Sequence, residues 1–129
     1  MVVALSLGFS FLTACSKAPS DRQAQAPVAA VVDASLAEQG RRLFTQKACD
    51  LCHHLDGSPA TGPGLAGIGK TADRKTLMDW CMDPEAIYRR AGRRPLRPGY
   101  PPMPPQRVTR EEARAIAEYL VSLTPPSGR

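Results

Sequence analysis

The 129-residue sequence predicts a small all-α domain with long loops. Three observations carry that expectation. Two helix-start signatures stand far apart, Ser35-Leu36-Ala37-Glu38 and Thr109-Arg110-Glu111-Glu112. Each pairs an N-cap hydroxyl with a Glu three residues later. Behind both, apolar residues recur at helical spacing, and no segment alternates with the period of two that a half-buried strand requires.

In the first helix, Ser35 is the expected N-cap, and Leu36, Gly40, Leu43 and Phe44 share one face. Glycine on that face is unfavourable by about 1 kcal/mol against alanine. Close approach of another backbone would explain it. A middle helix is expected from about Asp73 to Met82, closed by Asp83-Pro84. On it Met78 and Met82, four residues apart, are expected in the core beside Leu77 and Cys81. In the last helix Ala113, Ile116, Leu120 and Leu123 form the buried stripe, with Tyr119 at its edge and Pro125-Pro126 as the stop. The connections are long. Asp56 to Lys70 is Gly-rich and Ala91 to Gln106 is Pro-rich. Such loops in a small domain usually carry function.

Composition limits the core. Aromatics make up 5% of the residues, against 10 Gly and 13 Pro. A core this small often needs a covalent or cofactor staple. The net charge of +5 is uneven. From Arg89 onward there are nine Arg against three Glu. A basic half of this kind favours an acidic partner or surface.

Residues 1–14 read as an export signal, set apart from the fold. Val2 to Ala14 is uncharged and mostly apolar, too short to span a bilayer, which takes about 20 residues. Leu12-Thr13-Ala14-Cys15 resembles a bacterial lipobox, which implies lipidation of Cys15. An ordinary export signal with a chance cysteine is the alternative. Both readings place the protein outside the cytoplasm, on the periplasmic side. Residues 15–34, rich in Ala, Pro, Gln and Ser, read as a tether that extends on the order of 60 Å. Residues 35–125 are the expected domain and 126–129 a tail.

The chemistry concentrates in Cys49-Asp50-Leu51-Cys52-His53-His54. Cys49 to His53 is the C-x-x-C-H spacing of c-type haem attachment. Cysteines three apart lie about one helical turn from each other on one side. Their sulfurs can add to the two vinyl groups of one porphyrin, and His53 is then carried to the iron. His54 is expected at the surface or in packing. Zinc binding and thiol redox chemistry are the other uses of such a cluster. Zinc needs a fourth ligand that no distant Cys or His pair supplies. A redox C-x-x-C expects a βαβ context that is absent. With both histidines in the motif, the second axial position falls to methionine, lysine, water or nothing. Met103 is the candidate, because Tyr100-Pro101-Pro102-Met103-Pro104-Pro105 is a proline-locked loop with little unfolded-state freedom to lose.

On these residues the chain resembles a class I cytochrome c of the small bacterial mono-haem kind, over about Leu36 to Leu123. The resemblance implies one covalent haem c, crossed terminal helices with Gly40 at the crossing, and His53 and Met103 as iron ligands. It implies that the Pro63 carbonyl, in Thr61-Gly62-Pro63-Gly64-Leu65, accepts a hydrogen bond from His53. It implies that Trp80 reaches a haem propionate. The function expected is one-electron transfer between respiratory or dehydrogenase partners, alone or as a subunit of an oxidoreductase, and not catalysis. The partners expected are redox proteins, acidic at the docking face, and a membrane reached through the lipid anchor, not nucleic acid. A haem sensor or enzyme with a labile sixth ligand is the competing class. Two features depart from the family. Cys81 is an extra cysteine, a small buried hydrophobe or a reactive thiol. Arg89, Arg90, Arg93, Arg94 and Arg97 cluster before the Met103 loop, as a solvated face or a docking patch.

Overall fold

The computed structural model describes residues 31–124. They form four α-helices: α1 (Ala34–Gln46), α2 (Arg74–Met82), α3 (Pro84–Ala91) and α4 (Arg110–Ser122). Two single-turn 3-10 helices, Cys49–Leu51 and Ile68–Lys70, lie between α1 and α2. No strand occurs among the described residues. The expectations for Cys15 and for residues 1–30 and 125–129 lie outside them.

α1 packs against α4, and α2 packs against α4 from another side. Leu43 and Phe44 of α1, Leu77 and Cys81 of α2, and Ala113, Ala115, Ile116, Ala117 and Leu120 of α4 make one core. The small residues of α4 are what let its neighbours approach. A Cβ on Gly40 would fall 1.9 Å from the Ala115 carbonyl oxygen. The helix-propensity penalty of Gly40 is therefore offset by a close α1–α4 contact. Phe44 stands edge-on to Tyr119 beside it, ring centroids 5.9 Å apart.

The cap of α1 corrects one expectation. Asp33, not Ser35, is the N-cap, and its carboxylate accepts from the Leu36 N–H at 3.0 Å. Glu38 does not reach back to a cap. It pairs with Arg41 and Arg42 on the exposed face. The capping box of α4 forms as expected, with Thr109 and Glu112 bonded reciprocally. Glu112 also takes Lys47 at 2.9 Å, and Lys47 donates to the Arg107 carbonyl.

α2 starts behind Asp73 as its cap, and it ends at Met82. Of its two methionines only Met78 packs partly against the core. Met82 is 36% exposed, which corrects its placement in the core. Leu77 and Cys81 occupy the inward face instead. α3 is a helix that the sequence reading passed over. Asp83 ends α2 and caps α3, accepting from the Ala86 N–H at 2.9 Å. Pro84 is its first residue, where a missing N–H costs nothing. Gly92 closes it at φ 65°.

Among the described residues, one charged side chain is buried. Glu118 of α4 is 4% exposed and takes both nitrogens of an Arg74 fork, at 2.5 and 2.8 Å. It also accepts from the Asp33 N–H at 2.8 Å, while Arg74 donates to the Val31 carbonyl. The pair thus ties the entry of α1 to α2 and α4.

Candidate functional site

Between α1 and the cysteines the chain makes a tight turn, with Ala48 N–H bonded to the Thr45 carbonyl at 2.9 Å. Ala48 sits at φ 57°, in the left-handed region, which costs about 1–2 kcal/mol for a residue with a Cβ. That turn launches the 3-10 helix Cys49–Leu51. His53 N–H then bonds back to the Cys49 carbonyl at 3.0 Å, which sets both cysteines and His53 on one compact turn. Cys49 and Cys52 are unbridged and half-buried. Burial, and then the neighbouring Asp50 carboxylate, push the Cys49 thiol above its ordinary value, so it is held as a neutral thiol.

The Gly-rich loop closes over this turn. Gly62 N–H donates to the Cys52 carbonyl at 2.7 Å, and Leu65 N–H donates to the His54 carbonyl at 2.8 Å. His53 Nδ1 lies 2.8 Å from the Pro63 carbonyl oxygen. A carbonyl only accepts, so Nδ1 carries the proton. Nε2 is left with its lone pair, the form that binds a metal. A Cβ on Gly62 would lie 2.7 Å from His53 Cε1 and 2.9 Å from Nδ1. The absence of a side chain at position 62 is thus what lets the loop lie flat against the imidazole. His54 points elsewhere. It is exposed, with Nδ1 at 2.8 Å from Ser58 Oγ, whose own proton goes to Asp56.

Trp80 and Met103 come from different segments and meet through a residue that the sequence reading missed. Tyr88 of α3 is 5% exposed. Its ring stands edge-on to Trp80, centroids 5.4 Å apart, and its hydroxyl accepts from the Met103 N–H at 2.6 Å. The Arg94 guanidinium lies 5.6 Å over the same ring and is forked onto Glu85. Signals for α3 were present in Asp83-Pro84-Glu85, a cap, an N1 proline and an acidic first turn.

The arginine cluster is exposed throughout, and part of it is paired. Arg89 reaches Asp83 at 3.6 Å, Arg90 reaches Asp79 at 4.0 Å, and Arg94 reaches Glu85 at 2.6 Å. Arg93 and Arg97 have no carboxylate within 4 Å among the described residues. Cys81 is 9% exposed inside the core. Burial pushes its thiol up to about 12, so it stays neutral and packs as a small apolar residue.

The donor set suits a covalently held haem. It offers two free thiols at i and i+3, a following imidazole whose Nδ1 proton is held by the Pro63 carbonyl and whose Nε2 keeps its lone pair, and a glycine with no side chain against that ring. An all-helical domain with this turn is the class of small electron-carrying haem c proteins. The chain belongs to the cytochrome c family, whose profile matches residues 37–124. It is 35% identical to cytochrome c-551 of Stutzerimonas stutzeri over 89 residues, 69% of this chain and 81% of that one. It is 33% identical to cytochrome c-552 of Hydrogenobacter thermophilus over 97 residues, 74% of this chain and 93% of that one. Among solved structures, a cytochrome c from Rhodothermus marinus superposes with a TM-score of 0.61 at 31% identity, covering 72% of this chain and 80% of that one. An engineered form of it, bound to a carbene intermediate, gives 0.61 at 32% identity, covering 77% and 86%. One covalent haem c is the cofactor of this family, and haem-based electron transfer is its work.

Proposed function

We propose that the domain carries single electrons on a haem c joined to Cys49 and Cys52, with His53 and Met103 as axial ligands. The observation that carries the reading is the His53 ring, held by the Pro63 carbonyl with Nε2 free to bind iron. The haem supplies the one-electron couple. The protein's residues do the rest. Pro63 fixes the orientation and tautomer of His53 and raises its basicity as a ligand. Met103 as the second iron ligand would favour a higher potential than a second histidine. With both ligands held by the fold, neither has to move when the redox state changes. Trp80, packed edge-on to Tyr88, is assigned to a propionate.

The partner is an acidic redox protein that meets the face of Arg93 and Arg97. The contact is brief, small and weakened by salt. Cys15, lipidated, holds the domain to a membrane on the periplasmic side through the segment that follows it. Leu12-Thr13-Ala14-Cys15 supports that part. Such a tether keeps the domain at high effective concentration near membrane-bound partners.

Met103→Ala tests the axial assignment. The haem is expected to stay attached through Cys49 and Cys52, while the reduced protein gains carbon monoxide binding. A variant that keeps the parent spectrum in the presence of carbon monoxide would show that Met103 is not the ligand.

A further inference from the structure

The run Pro101-Pro102-Met103-Pro104-Pro105 has one backbone N–H, because proline has none. That single donor belongs to Met103, and the structure spends it on Tyr88. The Tyr88 hydroxyl accepts it at 2.6 Å inside the fold, on a side chain that is 5% exposed. Tyr88 is itself held on several sides. Trp80 of α2 meets its ring at 77°, and Arg94 lies over the ring while forked onto Glu85, one turn earlier on α3. Downstream, Lys47, which caps the C-terminus of α1, donates to the Arg107 carbonyl at 3.2 Å. The loop is therefore pinned at Met103 from α3 and at Arg107 from the end of α1.

We infer that Tyr88 is a positioning residue for the sixth ligand, and that its hydrogen bond sets how readily Met103 leaves the iron. This rests on the reading of Met103 as an axial ligand. The proline run stiffens the loop but offers no other backbone donor within those five residues. Swinging the thioether away carries the Met103 amide with it. The hydrogen bond to the buried Tyr88 hydroxyl must then break. Glu85 and Arg94 act one step further out, by holding the Tyr88 ring in place.

The test is Tyr88→Phe, which keeps the ring against Trp80 and Arg94 and removes only the acceptor. The readout is the rate at which cyanide replaces Met103 in the oxidised, haem-loaded protein. Loss of one buried hydrogen bond predicts a rise of about 2- to 12-fold. Glu118→Gln is the control, because it weakens the fold at the α2–α4 contact and leaves the loop alone; its rate is expected to match the parent. A rise in both variants in step with lost stability would reduce Tyr88 to a structural residue and overturn the inference. No rise in Tyr88→Phe, with a large one in Met103→Ala, would overturn it too and leave the ligand assignment standing. An unchanged rate in Met103→Ala would remove the ligand assignment itself. Should Tyr88→Phe fail to take up haem, hydrogen exchange of the Met103 amide in the parent decides. Slow exchange supports the bond, and exchange as fast as in a free chain contradicts it.

Discussion

Gly40→Ala is expected to lower the unfolding free energy by about 3 kcal/mol, at the upper end of the usual range for overpacking. The added Cβ would sit 1.9 Å from the Ala115 carbonyl oxygen, 2.5 Å from its carbon and 2.8 Å from Tyr119 Cβ. Two of those atoms are backbone, so no rotamer change relieves the contact. α1 and α4 must separate along the crossing that Leu43, Phe44 and Ile116 line. Alanine's better helix propensity returns only about 1 kcal/mol. Urea denaturation of the haem-loaded protein measures the difference. An unchanged midpoint and slope would mean that the two helices are not packed this closely.

The second large effect is expected at Glu118. Glu118→Ala removes the partner of Arg74 and the acceptor of the Asp33 N–H together. Breaking a buried pair from one side costs about 3–5 kcal/mol, and the lower figure applies because Arg74 is about a third exposed. The effect has a pH signature. The Arg74 hydrogen bond, helped by the Asp33 N–H and opposed by burial, holds the Glu118 carboxyl below its ordinary 4.5. A depressed folded value means that the unfolded chain binds the proton first. The stabilisation is thus complete above about pH 4.5 and fades as pH falls through the folded value. Parent and variant should therefore differ by a constant amount near neutrality and converge in acid. A difference that stays constant as pH falls well below 4.5 would assign the loss to packing alone.

Both residues show what the chain discloses when read in order and what it withholds. Cys49 to His53 is contiguous, so its chemistry was readable from spacing. Gly40 was readable as an anomaly, because a glycine among apolar residues on one helical face needs a reason. Glu118 was not readable, since its partner Arg74 is 44 positions away and only packing brings them together. The same pair explains the cap of α1. Ser35 and Asp33 both carry capping groups. With the Asp33 N–H engaged by Glu118, the helix starts behind Asp33. Pro84 misled for a different reason. A proline after a helix reads as a stop, yet the same residue with Asp83 before it opens the next helix. Passing over α3 also hid Tyr88, and with it the hydrogen bond that holds Met103.

The proposed haem c has both of its iron ligands, His53 and Met103, supplied by this chain. The most direct test is the absorption spectrum of the reduced, haem-matured protein before and after carbon monoxide. A sharp low-spin c-type spectrum that carbon monoxide leaves unchanged is expected. A spectrum that shifts with the gas would contradict it, and would place an open or labile sixth site opposite His53.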